Sequence, residues 1–185
     1  MRVYCKYIVL LFVLLLAGKW GYAQFPNEKK LTVNYSFNPI ALIDIEPDIN
    51  NSIQFEVIAN TNSGGEPIMT NTSSASLWLN YTSVTNSETR DIKARIEGGN
   101  LPDGVKLLLS ASAYKGAGKG KTGQPVGEIA LSSEDQVIIS GVGNCYTGDG
   151  MQNGHALDFE LVLDDFSKLS AVNESILTIL YTISE

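Results

Sequence analysis

Apolar and polar residues alternate along most of this chain, and turn-forming residues interrupt the alternation at regular intervals. Leu31, Val33, Tyr35 and Phe37 fall on one face of an extended segment and Thr32, Asn34 and Ser36 on the other, which predicts a first strand closed by Pro39. The same period predicts strands over 41–46 and 52–58, separated by the turn-rich run Glu46-Pro47-Asp48-Ile49-Asn50-Asn51. Residues 61–74 are polar and predict a loop. Leu77, Leu79 and Tyr81 alternate with Trp78, Asn80 and Thr82, and a polar turn around 86–89 leads into a strand over 91–97, the pattern of a hairpin. Leu101-Pro102-Asp103-Gly104 reads as a turn introducing an apolar strand over 105–114. A glycine and lysine loop is expected over 116–127. Strands over 137–142, 157–163 and 176–183 complete the set, and 164–173 is the one stretch suited to a short helix.

Short strands at this spacing, with no ten-residue helical period between them, predict an all-β protein built as an antiparallel β-sandwich of about nine strands in two packed sheets. A closed barrel is the chief structural alternative.

The N-terminus follows a different rule. Arg2 and Lys6 precede the apolar run Ile8 to Ala17, and Gly21-Tyr22-Ala23 has the small-x-small form that signal peptidase reads. Residues 1–23 are therefore expected to be a signal peptide and 24–185 a single β-sandwich domain. Lys19 interrupts the apolar run too early for a membrane span, so no membrane insertion is expected after cleavage. The expected location is exported: periplasm, cell surface or extracellular medium.

Charge narrows the partners. The chain carries 13 basic and 20 acidic residues, and losing Arg2, Lys6 and Lys19 with the signal deepens that imbalance. An acidic surface of this kind argues against nucleic acid. Of the two cysteines, Cys5 would leave with the signal, so Cys145 would be a lone cysteine, read as a small buried apolar residue.

The inventory of reactive groups is sparse. Gly118-Lys119-Gly120-Lys121-Thr122-Gly123 matches a dinucleotide-binding fingerprint, but Gln124-Pro125-Val126-Gly127 follows where a helix would have to begin. His155 is the single imidazole, no G-x-S-x-G elbow accompanies it, and its polar surroundings suggest a surface turn. One histidine and one cysteine cannot assemble the usual zinc shell, and Asp149 with Asn153 lacks the spacing of an EF-hand loop. No metal or other cofactor is expected, nor a catalytic residue. Paired carboxylates could still support a secreted hydrolase, although no pair is privileged by sequence. Trp78 and Tyr146 are the candidate ligand-binding residues, since exposed rings stack on sugar faces and Trp78 points away from Leu77, Leu79 and Tyr81. A carbohydrate-binding module with a glycan partner is accordingly the alternative to a structural role.

The export signal ending Ala23-Gln24, the succession of strands, the motif Tyr146-Thr147-Gly148-Asp149-Gly150 and the terminal run Ile176 to Ile183 together resemble the exported β-sandwich proteins of Gram-negative bacteria that are similar to fimbrial (pilus) subunits. The resemblance implies an immunoglobulin-like fold and a non-enzymatic role in surface assembly or cell adhesion. Leu31 to Phe37 could then add to the sheet edge of a protein partner or another copy, while Ile176 to Ile183 is apolar on both faces.

Overall fold

A computed structural model describes residues 28–49, 51–71, 76–86, 88–171 and 175–184. The expected signal peptide, with its cleavage point after Ala23, lies outside the described residues. The chain divides into two compact units, Met1–Ser36 and Phe37–Glu185. Residues 28–36 of the first unit carry no regular secondary structure.

The second unit is all-β and sandwich-like. Its strands are β1 (Ile40–Glu46), β2 (Phe55–Ile58), β3 (Ile68–Asn71), β4 (Leu77–Val84), β5 (Arg90–Gly98), β6 (Val105–Ala111), β7 (Lys119–Pro125), β8 (Ile129–Ala130), β9 (Gln136–Tyr146), β10 (His155–Leu163) and β11 (Thr178–Ser184). Nine of them form one antiparallel sheet in the order β11-β5-β9-β4-β10-β6-β8, with β1 joined to β4 and β7 to β9. β2 and β3 make a separate two-stranded sheet. The large sheet branches because β9 is long: its first half pairs with β5, and its last two residues reach Thr82 and Ser83 of β4. In the described ladders, the path ends at β11 and β8 and does not close into a barrel.

Alternation along the strands fills the interior. Leu77, Leu79 and Tyr81 of β4 meet Ile92 and Ala94 of β5, Leu107 and Leu109 of β6, Ile138, Ile139, Val142 and Cys145 of β9, and Leu157 and Phe159 of β10 in one apolar cluster. Removing a leucine-sized side chain from water in this way contributes about 1.5–3 kcal/mol. The rim is less complete, because Ile43 and Ile45 of β1 and Ile179, Tyr181 and Ile183 of β11 pack against the cluster only half-buried.

Several elements depart from the sequence pattern. Residues 31–37 alternate as a strand should, yet no strand forms there and no described ladder includes them. Alternation supplies an apolar face, but an isolated strand has too few hydrogen bonds to hold its shape. β3 lies inside the predicted 61–74 loop, held by register with β2 from Phe55 opposite Asn71 to Ile58 opposite Ile68. The expected β4–β5 hairpin is absent, since β5 pairs with β9 and β11. Buried Arg90 stands at the junction and donates to the carbonyl of Ile40, with Ser83 Oγ and the Val84 carbonyl each 3.4 Å away. Of the possible helix over 164–173, the described part contains one 3₁₀ turn, Phe166–Lys168, capped by the Asp165 carboxylate accepting from Ser167 N at 3.1 Å.

The glycine and lysine loop is largely a strand, β7. Its glycines answer a packing demand: a Cβ on Gly118 would lie 1.9 Å from the Tyr146 carbonyl oxygen, and one on Gly120 would lie 2.1 Å from that of Asn144. Gly120 also has φ +103°. The residues that matched a phosphate-binding fingerprint are glycine so that β7 can lie close against β9.

Candidate functional site

β4 organises the polar features because its two faces do different work. The inner face carries Leu77, Leu79 and Tyr81 into the core, and the outer face carries Trp78, Asn80 and Thr82. Tyr146 of β9 stands opposite Thr82, so it shares the outer face with Trp78. The two rings differ in access. Trp78 is 9% exposed, with Lys115 Nζ 6.0 Å from its ring centroid, whereas Tyr146 is 47% exposed. Asn80 lies between them along β4, so the rings do not make one continuous platform.

The connection from β9 to β10 covers Asn80. Asn80 Nδ2 donates to the carbonyl of Asn153 at 2.7 Å. Asn153 in turn donates through Nδ2 to the Asp149 carbonyl at 2.7 Å and accepts at Oδ1 from Ala117 N at 3.2 Å. Both ends of its amide are thus spent on backbone groups, one within the loop and one on the segment before β7, as a structural turn requires. Thr147, fully buried, exchanges hydrogen bonds with Tyr81: its N donates to the Tyr81 carbonyl and its Oγ1 accepts from Tyr81 N, each at 3.0 Å.

His155 is not the surface histidine its neighbours suggest. It has no solvent exposure, because β10 begins there and directs the ring under the covering loop. Nδ1 faces the Ser112 carbonyl at 2.8 Å and Nε2 faces the Tyr81 hydroxyl at 2.8 Å. The ring stacks on Tyr81 with centroids 5.8 Å apart and planes 10° apart, and Tyr114 packs at a tilt. Burial pushes the imidazole pKa below its ordinary value against the hydrogen bonds to Ser112 and Thr122, which raise it. In the neutral ring, Nδ1–H donates to the Ser112 carbonyl, and Nε2 lies beside the phenol oxygen. The Tyr81 hydroxyl donates to the Thr122 carbonyl, and burial raises its pKa. A ring enclosed in this way, with a carbonyl on one nitrogen and a phenol on the other, presents no open nitrogen to a substrate.

Cys145 is buried and free of a disulfide, as its sequence setting suggests, and burial pushes its thiol pKa up. The thiolate is the reactive form. Native protein is expected to resist alkylation at Cys145 and to react promptly once denatured, an outcome that mass spectrometry of iodoacetamide-treated samples would read directly.

Among the described residues, Asp44, Glu46 and Asp48 bring three carboxylates together, with one oxygen from each within 4.8 Å of the others. The three stand two residues apart in the sequence, but Asp48 lies beyond the end of β1, in a stretch that reads as a turn. The Tyr81–His155 contact left no such trace, since the partners are 74 residues apart. No protein-family model, curated protein or solved structure matches this chain.

Proposed function

We propose that this chain is an exported, non-enzymatic structural or adhesive surface protein with an immunoglobulin-like sandwich, resembling a fimbrial subunit, that assembles with other copies by strand addition. The observation that carries this reading is the apolar stripe of residues 31–37. Leu31 is 88% exposed and Val33 70%, although both lie in a segment patterned to bury one face. Such a segment gains a ladder and a dry face together when it adds to a sheet edge.

The half-covered rim of the core supports the same reading. β1 bonds only to β4 and β11 only to β5 in the described ladders, so the second edge of each has no ladder partner among the described residues. Along those edges Ile43, Ile45, Ile179 and Ile183 remain partly exposed, in contrast to Leu79, Ile92 and Ile139, which are fully buried. An added strand would complete the cover that this chain's own strands leave unfinished.

Concentration-dependent oligomers are the expected outcome in sedimentation of the purified protein. Replacing Leu31 and Val33 with aspartate removes two apolar contacts worth about 1.5 kcal/mol or more each and should weaken association at least about a hundredfold. The melting temperature of the second unit should hardly change, which separates lost assembly from lost folding. A native chain that stays monomeric at high concentration would sink the proposal.

A further inference from the structure

We infer that the outer face of β1 and β4 holds a calcium ion, bound by the carboxylates of Asp44, Glu46 and Asp48 together with the side-chain oxygen of Asn80. The period of the strand sets up the site. Ile43 and Ile45 point into the core, so Asp44 and Glu46 share the opposite face, and Asp48 follows in the bend just beyond the strand. One oxygen from each carboxylate lies within 4.8 Å of the others. Three like charges gathered in this way repel one another unless a cation stands among them.

Asn80 is the independent indication. It is 4% exposed, and its Oδ1 is buried without a hydrogen-bond partner. A buried amide oxygen left in that state costs about 1–3 kcal/mol. Register places Asn80 directly across from Asp44 in the β1–β4 ladder, so their side chains stand next to each other on the outer face. The other arm of the amide is turned away from β1: Nδ2 donates to the carbonyls of Asn153 at 2.7 Å and Gly150 at 3.4 Å, in the loop on the β10 side. Two carbonyl acceptors require the NH₂ on that side, so the assignment of the amide is not interchangeable. With Nδ2 held there, Oδ1 diverges from the loop, on the side of the amide away from the Asn153 and Gly150 carbonyls.

The donor set selects the metal. All four donors are hard oxygens, which excludes a preference for zinc or copper. Calcium takes oxygen ligands at about 2.3–2.6 Å in a flexible arrangement, which carboxylates divided between a strand end and its turn can supply, whereas magnesium at about 2.0–2.1 Å demands a near-ideal octahedral set. Water would supply the remaining positions of a six- to eight-coordinate ion. The ion would tie the end of β1 and the following turn to the middle of β4.

Terbium, a luminescent calcium surrogate, tests the site, because Trp78 stands directly across from Glu46 and can sensitise it. The purified full-length chain should show terbium emission on tryptophan excitation, calcium should displace it, and magnesium should compete far less well. Trp78→Phe should abolish the emission while calcium binding by calorimetry persists. Glu46→Gln and Asp44→Asn should each weaken calcium binding about tenfold or more, as ligand charge is lost. Asn80→Ala should also weaken it; if that variant fails to fold by circular dichroism, the two carboxylate variants and the melting temperature with calcium against chelator decide. Absence of calcium binding at millimolar concentration, with an ordered water alone satisfying Asn80, would overturn the inference. Binding unchanged in Glu46→Gln and Asp44→Asn, or equal for magnesium, would overturn it as well.

Discussion

Alanine at Gly154 is expected to be the most damaging single-atom addition in the loop that covers β4. Gly154 has φ +86°, and a Cβ built there would lie 2.0 Å from the carbonyl oxygen of Leu79 and 3.2 Å from Asn80 Nδ2. Neither obstacle can yield cheaply. The Leu79 carbonyl belongs to the middle of β4, whose side chain at that position is fully buried, and Asn80 is held by Asn153 and Gly150. Relief would require β10 to lift from β4 just where His155 opposite Leu79 begins the pairing. Backbone strain and the lost contacts together should cost about 3 kcal/mol or more. For a domain of this size that corresponds to a fall in melting temperature of about 10 °C, read by calorimetry. A variant that melts like the native protein would show that the covering loop is not the rigid element described above.

Replacing His155 by alanine should be the next most costly change, about 2–4 kcal/mol, because it empties a dry site and removes the partner of two buried polar groups. The Ser112 carbonyl loses its donor and the Tyr81 hydroxyl loses its contact with the ring. The same residue predicts a pH dependence whose sign follows from its burial. The folded-state pKa lies below the ordinary value of 6.5, so the unfolded chain takes up the proton first. The stability contributed by the neutral ring is complete above about pH 6.5 and declines as pH falls through that value toward the folded-state pKa. Denaturant melts at pH 7.5 and pH 5 should show a loss for the native protein that is smaller in His155→Ala. An equal loss in both would assign the acid sensitivity to carboxylates instead.

Much of the fold was legible as alternation, for a reason specific to antiparallel sheets. Where one face meets the core and the other does not, each strand records its own orientation, and β1, β4, β6, β10 and β11 lie close to where the pattern placed them. Partners are not recorded in this way. The apparent hairpin of β4 and β5 has the right residues on both arms, but β9 is long enough to pair with both of them, and β5 takes its register from β9 and β11. β7 was hidden because its glycines and lysines resemble a loop, while the constraint that selects glycine comes from the backbone of β9.

The candidate chemistry was less legible. Trp78 faces outward from the core, as alternation implies, and register puts Tyr146 on the same face, but Lys115 and the neighbouring loop decide that only Tyr146 is open. His155 sits among polar residues in sequence, yet burial follows the position of its strand and not the polarity of its neighbours.

From sequence alone came the all-β character, the inward and outward faces of most strands, the buried state of Cys145, and the surplus of acidic side chains, because each is a property of spacing or composition. Tertiary structure alone decided that β5 joins β9, that His155 is sealed against Tyr81, and that Asn80 faces Asp44. Those outcomes rest on hydrogen-bond register between segments remote in the chain, and short-range periodicity carries no information about which distant strand supplies the partner.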